Sequence, residues 1–320
     1  GLRGAPPPAP TPSPTPAAVL AGGSVLTASN AGAGIWYLWN HSTGEAVRNF
    51  SWYDRSAVFS PSGDRLLTNF GIMRDASTGE VLRRFTPDHG DVRSAAFSPT
   101  GEYVLTSISD RSYFTMFDAS TGEVLKSFTG HQDRVNSVVF SPVGDYVLSA
   151  SEDRTAMMWD ASSGEVLIVF RGHGRFVDSA VFSPEGERVL TAAWDMTAKV
   201  WNASTGEVLH TFAGHTNRLT SAVFSPTGER VLTASWDGTA IMWDAFTGEV
   251  LQRLTGHSDG VTSAVFSPTG DCVLTASWDG TAKLWNASTG KVLTTFRGSG
   301  LHMTSAVFLP KMWTSSASGC

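Results

Sequence analysis

The chain has 320 residues, of which 41% are hydrophobic and 16% are charged. This length can bury a large core, and the composition is too polar for a membrane protein. The formal net charge of −6 gives no basic excess for nucleic-acid binding, so we expect neither nucleic acid nor a membrane as a partner. Two cysteines, Cys272 and Cys320, exclude a disulfide framework and a cysteine-ligated zinc site. They favour a reducing, cytoplasmic location.

Residues 1–21 are predicted to form a disordered linker. The stretch from Ala5 to Pro16 reads APPPAPTPSPTP, and because proline lacks a backbone N–H, this stretch cannot supply the hydrogen bonds of a sheet. The apolar run at 17–21 is too short to cross a bilayer and is not preceded by the charged region of a signal peptide. Because the sequence begins at Gly1 instead of Met, we interpret it as a fragment or a processed product.

After the linker, one unit repeats along the chain. Asp and Trp residues recur at intervals of 42 residues, as at Asp195 and Asp237. Such a fixed period indicates a repeat architecture. Six units with all four predicted strands occupy residues 51–85, 86–128, 129–170, 171–212, 213–254 and 255–296. The first of these is shortened, and the second is longer by one residue. Two incomplete units lie at the ends, at residues 24–50 and 303–308.

The unit at residues 213–254 shows the local pattern. Apolar residues alternate over short segments between turn signals, and no 3.6-residue periodicity persists, so the unit is all-β. Its predicted strands are Thr220–Phe224, Arg230–Ser235, Thr239–Trp243 and Glu249–Leu254. The first two are joined by Ser225-Pro-Thr-Gly228, a turn sequence. Four short strands in each repeat predict a β-propeller, in which one repeat supplies one blade.

Two dipeptides in this unit carry a resemblance to a known family. Gly214-His215 precedes the first strand, and Trp243-Asp244 closes the third. With their repeated spacing, these residues resemble the WD-repeat β-propeller family over nearly the whole chain outside the linker. We therefore predict an all-β, seven-bladed β-propeller of four-stranded antiparallel blades at residues 22–310, followed by a tail at residues 311–320.

The incomplete units at the two ends are complementary and predict how the ring closes. Ser24–Ser29, Ile35–Asn40 and Glu45–Phe50 match the second, third and fourth strands of a blade, and Met303–Phe308 matches the first. Pairing this C-terminal strand with the N-terminal three completes a seventh blade and leaves no open edge. The alternative is that Lys311–Ser318 supplies the second strand in place of Ser24–Ser29.

Each regular unit contains a His, a Ser, an Asp and a Trp at fixed positions. Ser, His and Asp together suggest a nucleophilic triad, but a triad is needed once and this set recurs with the blade, so we interpret it as structural. The resemblance implies a hydrogen-bond chain from Asp to His, from His to Ser and from Ser to the Trp indole N–H. The predicted members are His131, Ser151, Asp153, Trp159, His173, Asp195, Trp201, His215, Ser235, Asp237, Trp243, His257, Ser277, Asp279 and Trp285. Because the histidines belong to separate blades, no metal and no cofactor are expected.

The repeat pattern weakens toward the N-terminus. One unit has Ala193 in the place of the Ser. The unit at 86–128 has Phe117 at the Trp position, and the unit at 51–85 has Arg74 there. We expect the blades of these last two units, blades 2 and 3, to be the least regular.

The resemblance also implies where a partner binds, because the top rim is the commonest binding face of this family. The matching positions flank the recurring apolar residue of the first strand or precede the turn Asp. The predicted partner-binding residues are Trp194, Trp236, Trp278, Phe176, Arg134, Asn136, Asp178, Arg218, Thr220, Glu152 and His302. The three tryptophans and nearby arginines are residue types enriched in interface hot spots. The alternative is that each Trp packs against its own turn or the next blade.

These observations predict a non-catalytic, monomeric scaffold that binds a protein or peptide at the top rim, as one part of a larger signalling protein. The alternative function is a lectin-like propeller that binds a glycan or small molecule through the tryptophans. The sequence contains no phosphate-binding loop and no isolated catalytic set that would favour an enzyme.

Overall fold

The computed structural model describes residues 24–29, 35–40, 43–51, 56–85, 91–298 and 302–308. Over these ranges the chain forms 28 β-strands in seven four-stranded antiparallel sheets. The first strands of successive sheets lie side by side around a central channel, so each sheet is one blade of a propeller. The predicted all-β, seven-bladed architecture is confirmed. The predicted linker at 1–21 and tail at 311–320 lie outside the described residues.

The first four blades contain the following strands. Blade 1 contains β1 (Ser24–Ser29), β2 (Ile35–Asn40) and β3 (Ala46–Ser51). Blade 2 contains β4 (Ala57–Phe59), β5 (Arg65–Thr68), β6 (Ile72–Asp75) and β7 (Val81–Arg84). Blade 3 contains β8 (Val92–Phe97), β9 (Tyr103–Ile108), β10 (Tyr113–Asp118) and β11 (Val124–Thr129). Blade 4 contains β12 (Val135–Phe140), β13 (Tyr146–Ser151), β14 (Thr155–Asp160) and β15 (Val166–Arg171).

The remaining blades continue the same order. Blade 5 contains β16 (Val177–Phe182), β17 (Arg188–Ala193), β18 (Thr197–Asn202) and β19 (Val208–Ala213). Blade 6 contains β20 (Leu219–Phe224), β21 (Arg230–Ser235), β22 (Thr239–Asp244) and β23 (Val250–Thr255). Blade 7 contains β24 (Val261–Phe266), β25 (Cys272–Ser277), β26 (Thr281–Asn286) and β27 (Val292–Arg297). The last strand, β28 (Met303–Phe308), joins blade 1.

The two faces of the propeller carry different turns. The top face carries the turns between second and third strands and the connections from one blade to the next. The bottom face carries the turns between first and second strands and between third and fourth strands. In blade 5 the two bottom turns are joined by a hydrogen bond of 2.9 Å from the Ala203 N–H to the Glu187 carbonyl. No helix in the described residues is long and apolar enough to cross a membrane.

The ring closes within blade 1, where the strand order is β28, β1, β2, β3. Val25 pairs with Phe308 and Thr27 pairs with Ala306, so the C-terminal strand takes the innermost position of the blade. The predicted closure is confirmed. The alternative, in which residues 311–318 replace β1, is wrong because β1 pairs with both β28 and β2.

Adjacent blades pack face to face, and the apolar contact between them forms the core. Between blades 5 and 6, Leu190 and Phe212 of blade 5 meet Leu219 and Trp243 of blade 6. The ring centroids of Phe212 and Trp243 are 5.4 Å apart, within the range of aromatic contacts. Full burial of one such side chain contributes about 1.5–3 kcal/mol. Each blade therefore depends on its neighbours for its stability.

Blade 2 is irregular as predicted, but blade 3 is not. The strands of blade 2 have three or four residues, whereas those of blade 3 have six, as in the regular blades. The extra residue of blade 3 lies in the turn between Ile108 and Tyr113, so it does not disturb the register of the strands. The predicted irregularity of blade 3 is therefore wrong for its backbone.

The short middle turn of blade 2 requires a glycine. Gly71 has a φ of +66°, and a Cβ at this position would lie 2.7 Å from the carbonyl oxygen of Phe85. Arg74 pairs with Leu66, which is the register position of the Trp in the regular blades. Its guanidinium donates to the carbonyl of Gly79 at 3.1 Å, so this side chain bonds the adjacent bottom turn.

Deleting residues 297–320 removes β28 and is expected to lower the melting temperature by about 10 °C or more. Three side chains of β28 are buried in the contact with blades 1 and 7, namely Met303, Ala306 and Phe308. Their loss also exposes the edge of β1. Differential scanning calorimetry checks this expectation, with deletion of residues 1–21 as the control, because that deletion leaves all four strands of blade 1. An unchanged melting curve for the C-terminal deletion contradicts the closure.

Candidate functional site

A chain of hydrogen bonds joins the top connection, the second strand and the third strand of each regular blade. In blade 6, His215 Nδ1 lies 2.8 Å from Asp237 Oδ2, and His215 Nε2 lies 2.9 Å from Thr233 Oγ1. The indole N–H of Trp243 donates to the same Thr233 hydroxyl at 2.9 Å. Blades 4, 5 and 7 repeat this arrangement, with the hydroxyl supplied by Ser149, Thr191 and Thr275. We call this arrangement the blade network.

The hydroxyl of the blade network is not that of the predicted serine. Trp243 is paired with Val231, two residues before Thr233 on the same face of β21, so its indole reaches Thr233 and not the end of the strand. Ser235 instead donates to the Asn217 carbonyl and accepts from the Asp237 N–H, at 3.0 and 3.1 Å.

The other predicted serines, Ser151 and Ser277, make the same turn contacts as Ser235. The assignment of these three serines to the network is therefore wrong. Blade 5, which has Ala193 at the position of the serine, keeps the complete network because Thr191 supplies the hydroxyl.

Asp237 stays ionised because several donors surround it. Burial opposes ionisation, but hydrogen bonds from His215 and Thr239 outweigh it and hold the pKa of Asp237 well below its usual range. Thr239 Oγ1 donates to one carboxylate oxygen at 2.7 Å, and the backbone N–H of Thr216 donates to the other at 3.0 Å. The carboxylate thereby ties the connection from blade 5 to the turn of blade 6.

The blade network is built for stability rather than nucleophilic catalysis. His215 is 7% exposed, and its two nitrogens are occupied by Asp237 and Thr233. The hydroxyl that a triad would use already accepts from the Trp243 indole. Among the described residues, no group of three or more His, Cys, Asp or Glu side chains could hold a metal ion.

The predicted rim tryptophans lie on the top face, each in the turn between the second and third strands. Their backbone N–H groups donate to the residue that precedes the first strand of the same blade. Trp194 donates to the Phe176 carbonyl at 2.9 Å, and Trp236 donates to the Arg218 carbonyl at 3.1 Å. The third, Trp278, does the same to Gly260 at 3.0 Å. Three equivalent turns thus place three equivalent indoles next to the residues that precede the first strands.

The side chains at these positions form a continuous row, which we call the aromatic arc. In order around the ring, it consists of Phe176, Trp194, Arg218, Trp236, Trp278 and His302. The guanidinium carbon of Arg218 lies 4.1 Å from the Trp194 ring centroid and 4.8 Å from that of Trp236, so the cation is held between two indoles. Phe176 lies 5.4 Å from Trp194 between ring centroids.

The arc continues across blade 7 into blade 1. The centroid of Trp278 lies 4.5 Å from that of Trp236 and 4.5 Å from that of His302, which is stacked on it. Gly260 makes room for this packing, because a Cβ there would lie 2.5 Å from Trp236 Cε3. The tryptophans therefore do pack against the next blade, and Trp278 nevertheless remains 38% exposed.

A polar cluster adjoins the Phe176 end of the arc. Arg93 lies 3.6 Å from Glu152 and 3.9 Å from Asp178, measured from guanidinium nitrogen to carboxylate oxygen. Burial raises the pKa of Asp178, although Arg93 and the indole of Trp194 act in the opposite direction. Arg134, nearby on blade 4, is exposed and lies 3.3 Å from Asp110.

Two residues predicted to contact a partner instead join neighbouring blades. The Asn136 amide donates to the Val177 carbonyl at 2.9 Å, and the Thr220 hydroxyl donates to the Val261 carbonyl at 2.8 Å. Asn136 is buried. Because these groups are used between blades, we remove both residues from the candidate partner surface.

Comparison with known proteins agrees with this geometry. A family model described as WD domain, G-beta repeat matches residues 79–113, 122–160, 164–202, 206–244 and 248–286, which is more than half of the chain. The chain therefore belongs to the WD-repeat family. A search of curated proteins found no match.

The family repeat and the blade are offset from each other. The match at residues 206–244 begins with β19, the outer strand of blade 5, and continues with β20, β21 and β22 of blade 6. Each repeat thus contributes to two blades, which links neighbouring blades through the chain as well as through their packing.

The Thr233→Val variant is expected to lower the free energy of unfolding by about 1–3 kcal/mol, because it leaves His215 and Trp243 without their common partner. The matched control is Thr106→Val in blade 3, where Phe117 replaces the Trp and the Thr106 hydroxyl has no hydrogen-bond partner among the described residues. This control is expected to be neutral or stabilising. Urea denaturation of both variants measures the difference, and equal losses contradict the network.

The side chain of His257, which is 1% exposed, makes stability depend on pH. Burial lowers the pKa of His257 from 6.5, although Asp279 acts in the opposite direction. At a pH just below the unfolded pKa, His257 is protonated in the unfolded chain and neutral in the folded chain. The contribution of His257 to stability is therefore fully present above the unfolded pKa and decreases as the pH falls below it. We expect melting temperatures to fall between about pH 7.5 and about pH 5, and to fall less in His257→Gln. A variant with the wild-type pH dependence in a fluorescence melting assay contradicts this.

Proposed function

We propose that this chain is a non-catalytic scaffold that binds a protein or peptide through the aromatic arc on its top face. Interaction scaffolding is the common role of WD-repeat propellers. The observation that carries the proposal is the continuous row of side-chain contacts across blades 5, 6, 7 and 1. A monomeric state, a cytoplasmic location and a place in a larger signalling protein stay predictions from the sequence.

The arc has the composition and order that favour binding. Trp and Arg are the residues most often found to dominate binding energy at interfaces. Arg218 is already held between Trp194 and Trp236, so little side-chain entropy is lost when a partner covers it. Toward the other end of the arc, Trp278 is 38% exposed and so presents apolar surface to a partner. An extended peptide lying along the arc would bury these rings in succession.

The polar cluster determines the orientation in which such a partner binds. Arg93, Glu152 and Asp178 lie at one end of the arc only, so the surface is apolar and aromatic at one end and charged at the other. Their charges are partly buried, which strengthens their interaction with a partner group relative to fully exposed charges. A peptide would therefore bind in one orientation, with its polar end near Arg93.

The second candidate function is glycan binding. It is supported by Trp278, whose exposed indole is stacked on His302 and could pack against the apolar face of a sugar ring. The two candidates differ in what they require, since a sugar needs one exposed ring and a peptide uses the whole arc.

The test is a variant with Trp194→Ala, Trp236→Ala and Trp278→Ala, compared with wild type in affinity capture and on a glycan array. We expect captured protein partners to decrease by about tenfold or more. A matched control replaces Val124, Val166 and Val208 with Ala, because these equivalent outer-strand residues are exposed and distant from the arc. Both variants are first checked for wild-type melting.

Each result decides between the candidates. Loss of protein partners in the tryptophan variant alone supports the scaffold. Selective loss of glycan signal with unchanged protein capture supports the lectin-like function. If neither changes, the top-face proposal is wrong.

A further inference from the structure

We propose that the bottom face carries a second binding site, in which the lower mouth of the central channel takes the apolar anchor of a basic peptide. This site is separate from the aromatic arc, because the two occupy opposite faces of the propeller.

The mouth is an apolar cavity built by every blade. The first strand of a blade ends in an apolar pair such as Val139-Phe140 or Val181-Phe182, followed in blades 2 to 7 by Ser-Pro. These segments line an open cavity of about 810 Å³, and none of the described residues that line it is charged. Val58, on blade 2, is 40% exposed there. A volume of this size is typical of sites that bind small molecules or a few side chains.

The wall of the mouth is formed before any partner binds. The turns that follow the first strands pack against each other around the ring, so that a Cβ on Gly270 would lie 3.5 Å from Pro226 of the preceding blade. Within each turn, the serine hydroxyl accepts a backbone N–H, as in the 3.0 Å bond from Arg230 to Ser225. A ligand would therefore lose little affinity to ordering of the site.

Carboxylates surround this apolar opening. In blades 2 to 7 the residue after the turn glycine is acidic and exposed, namely Asp64, Glu102, Asp145, Glu187, Glu229 and Asp271. The second bottom turn of most blades adds further acids, as at Asp160 and Glu165. More than half of the 29 Asp and Glu residues of the chain lie in these bottom turns or are the strand residue directly before them.

Basic residues in the same turns are fewer and do not neutralise the face. Arg188, for example, donates to Glu185 of its own blade at 2.6 Å and to the Gly228 carbonyl of blade 6 at 2.8 Å, so its charge is used by two adjacent bottom turns. The bottom face is thus an apolar opening within a negative surface.

Charge complementarity selects the occupant. A negative surface attracts a cationic partner and increases its rate of association. The same surface repels phosphates, which disfavours nucleic acid and anionic membranes. The apolar mouth contributes affinity only for a side chain without charge. A basic peptide with one or two large apolar residues satisfies both parts of the site.

The test uses a fluorescein-labelled peptide in which lysines flank a Trp-Leu pair, with binding to the full chain followed by fluorescence anisotropy. We expect it to bind about tenfold or more tightly than the same peptide with Glu in place of Lys, or with Ala-Ala in place of Trp-Leu. Affinity is expected to decrease as salt rises from about 50 mM to about 300 mM.

Two variants locate the site. Val58→Arg places a cation in the mouth, and Glu187→Lys with Glu229→Lys reverses charge beside it; each is expected to weaken binding by about tenfold. The matched controls are Val166→Arg on the outer surface and Asp110→Lys with Asp133→Lys on the top face, all at exposed positions. The controls and the triple tryptophan variant are expected to bind as wild type does, which keeps this test independent of the top-face proposal.

Several results would overturn the proposal. These are equal binding of the acidic peptide, unchanged binding by both mouth variants, or loss of binding in the controls. Binding by a chain that ends at residue 308 but not by the full chain would assign the mouth to residues 309–320. A dimer in sedimentation that Val58→Arg dissociates would assign it to a second copy.

Discussion

The pairing of β28 with β1 is the contact on which the rest of the molecule depends. Each blade buries its apolar faces against its two neighbours, so an open ring would leave two blades half uncovered. The pairing of Val25 with Phe308 joins strands from opposite ends of the chain and completes the ring without any additional element. The last contact of the aromatic arc, from Trp278 of blade 7 to His302 of blade 1, also requires this closure.

Within the closed ring, repetition and variation have separate roles. The blade network recurs in four blades with nearly the same distances, and it fixes the top connections against the second and third strands. The positions next to it differ between blades, so Arg218 and Gly260 occupy equivalent places. That difference allows Arg218 to lie between two indoles, and it allows Trp236 to lie against the backbone of blade 7. A fixed frame thus presents a surface of variable chemistry.

The sequence was sufficient for the fold because the repeat period, the turn sequences and the complementary ends each follow from local patterns. It did not identify which hydroxyl belongs to the network, since Thr233 and Ser235 both recur with the repeat, apart from Ala193 in blade 5. The pairing of Val231 with Trp243 decides between them. The contacts of the arc, such as His302 on Trp278, depend on side-chain packing between blades and leave no local signal. Asn136 was misassigned for the same reason, because its acceptor belongs to the next blade.

The closing pair of strands also determines how the propeller faces anything attached to it. β1 begins opposite the last residue of β28, at the end of the sheet where the bottom turns lie. The chain therefore enters and leaves the propeller on one side, next to the apolar mouth. A tether attached at the start of β1 or the end of β28 would hold the bottom face toward the attachment point and leave the aromatic arc facing outward. A fluorescent tag or an immobilisation handle placed directly before Ser24 or directly after Phe308 would accordingly crowd the mouth and spare the arc.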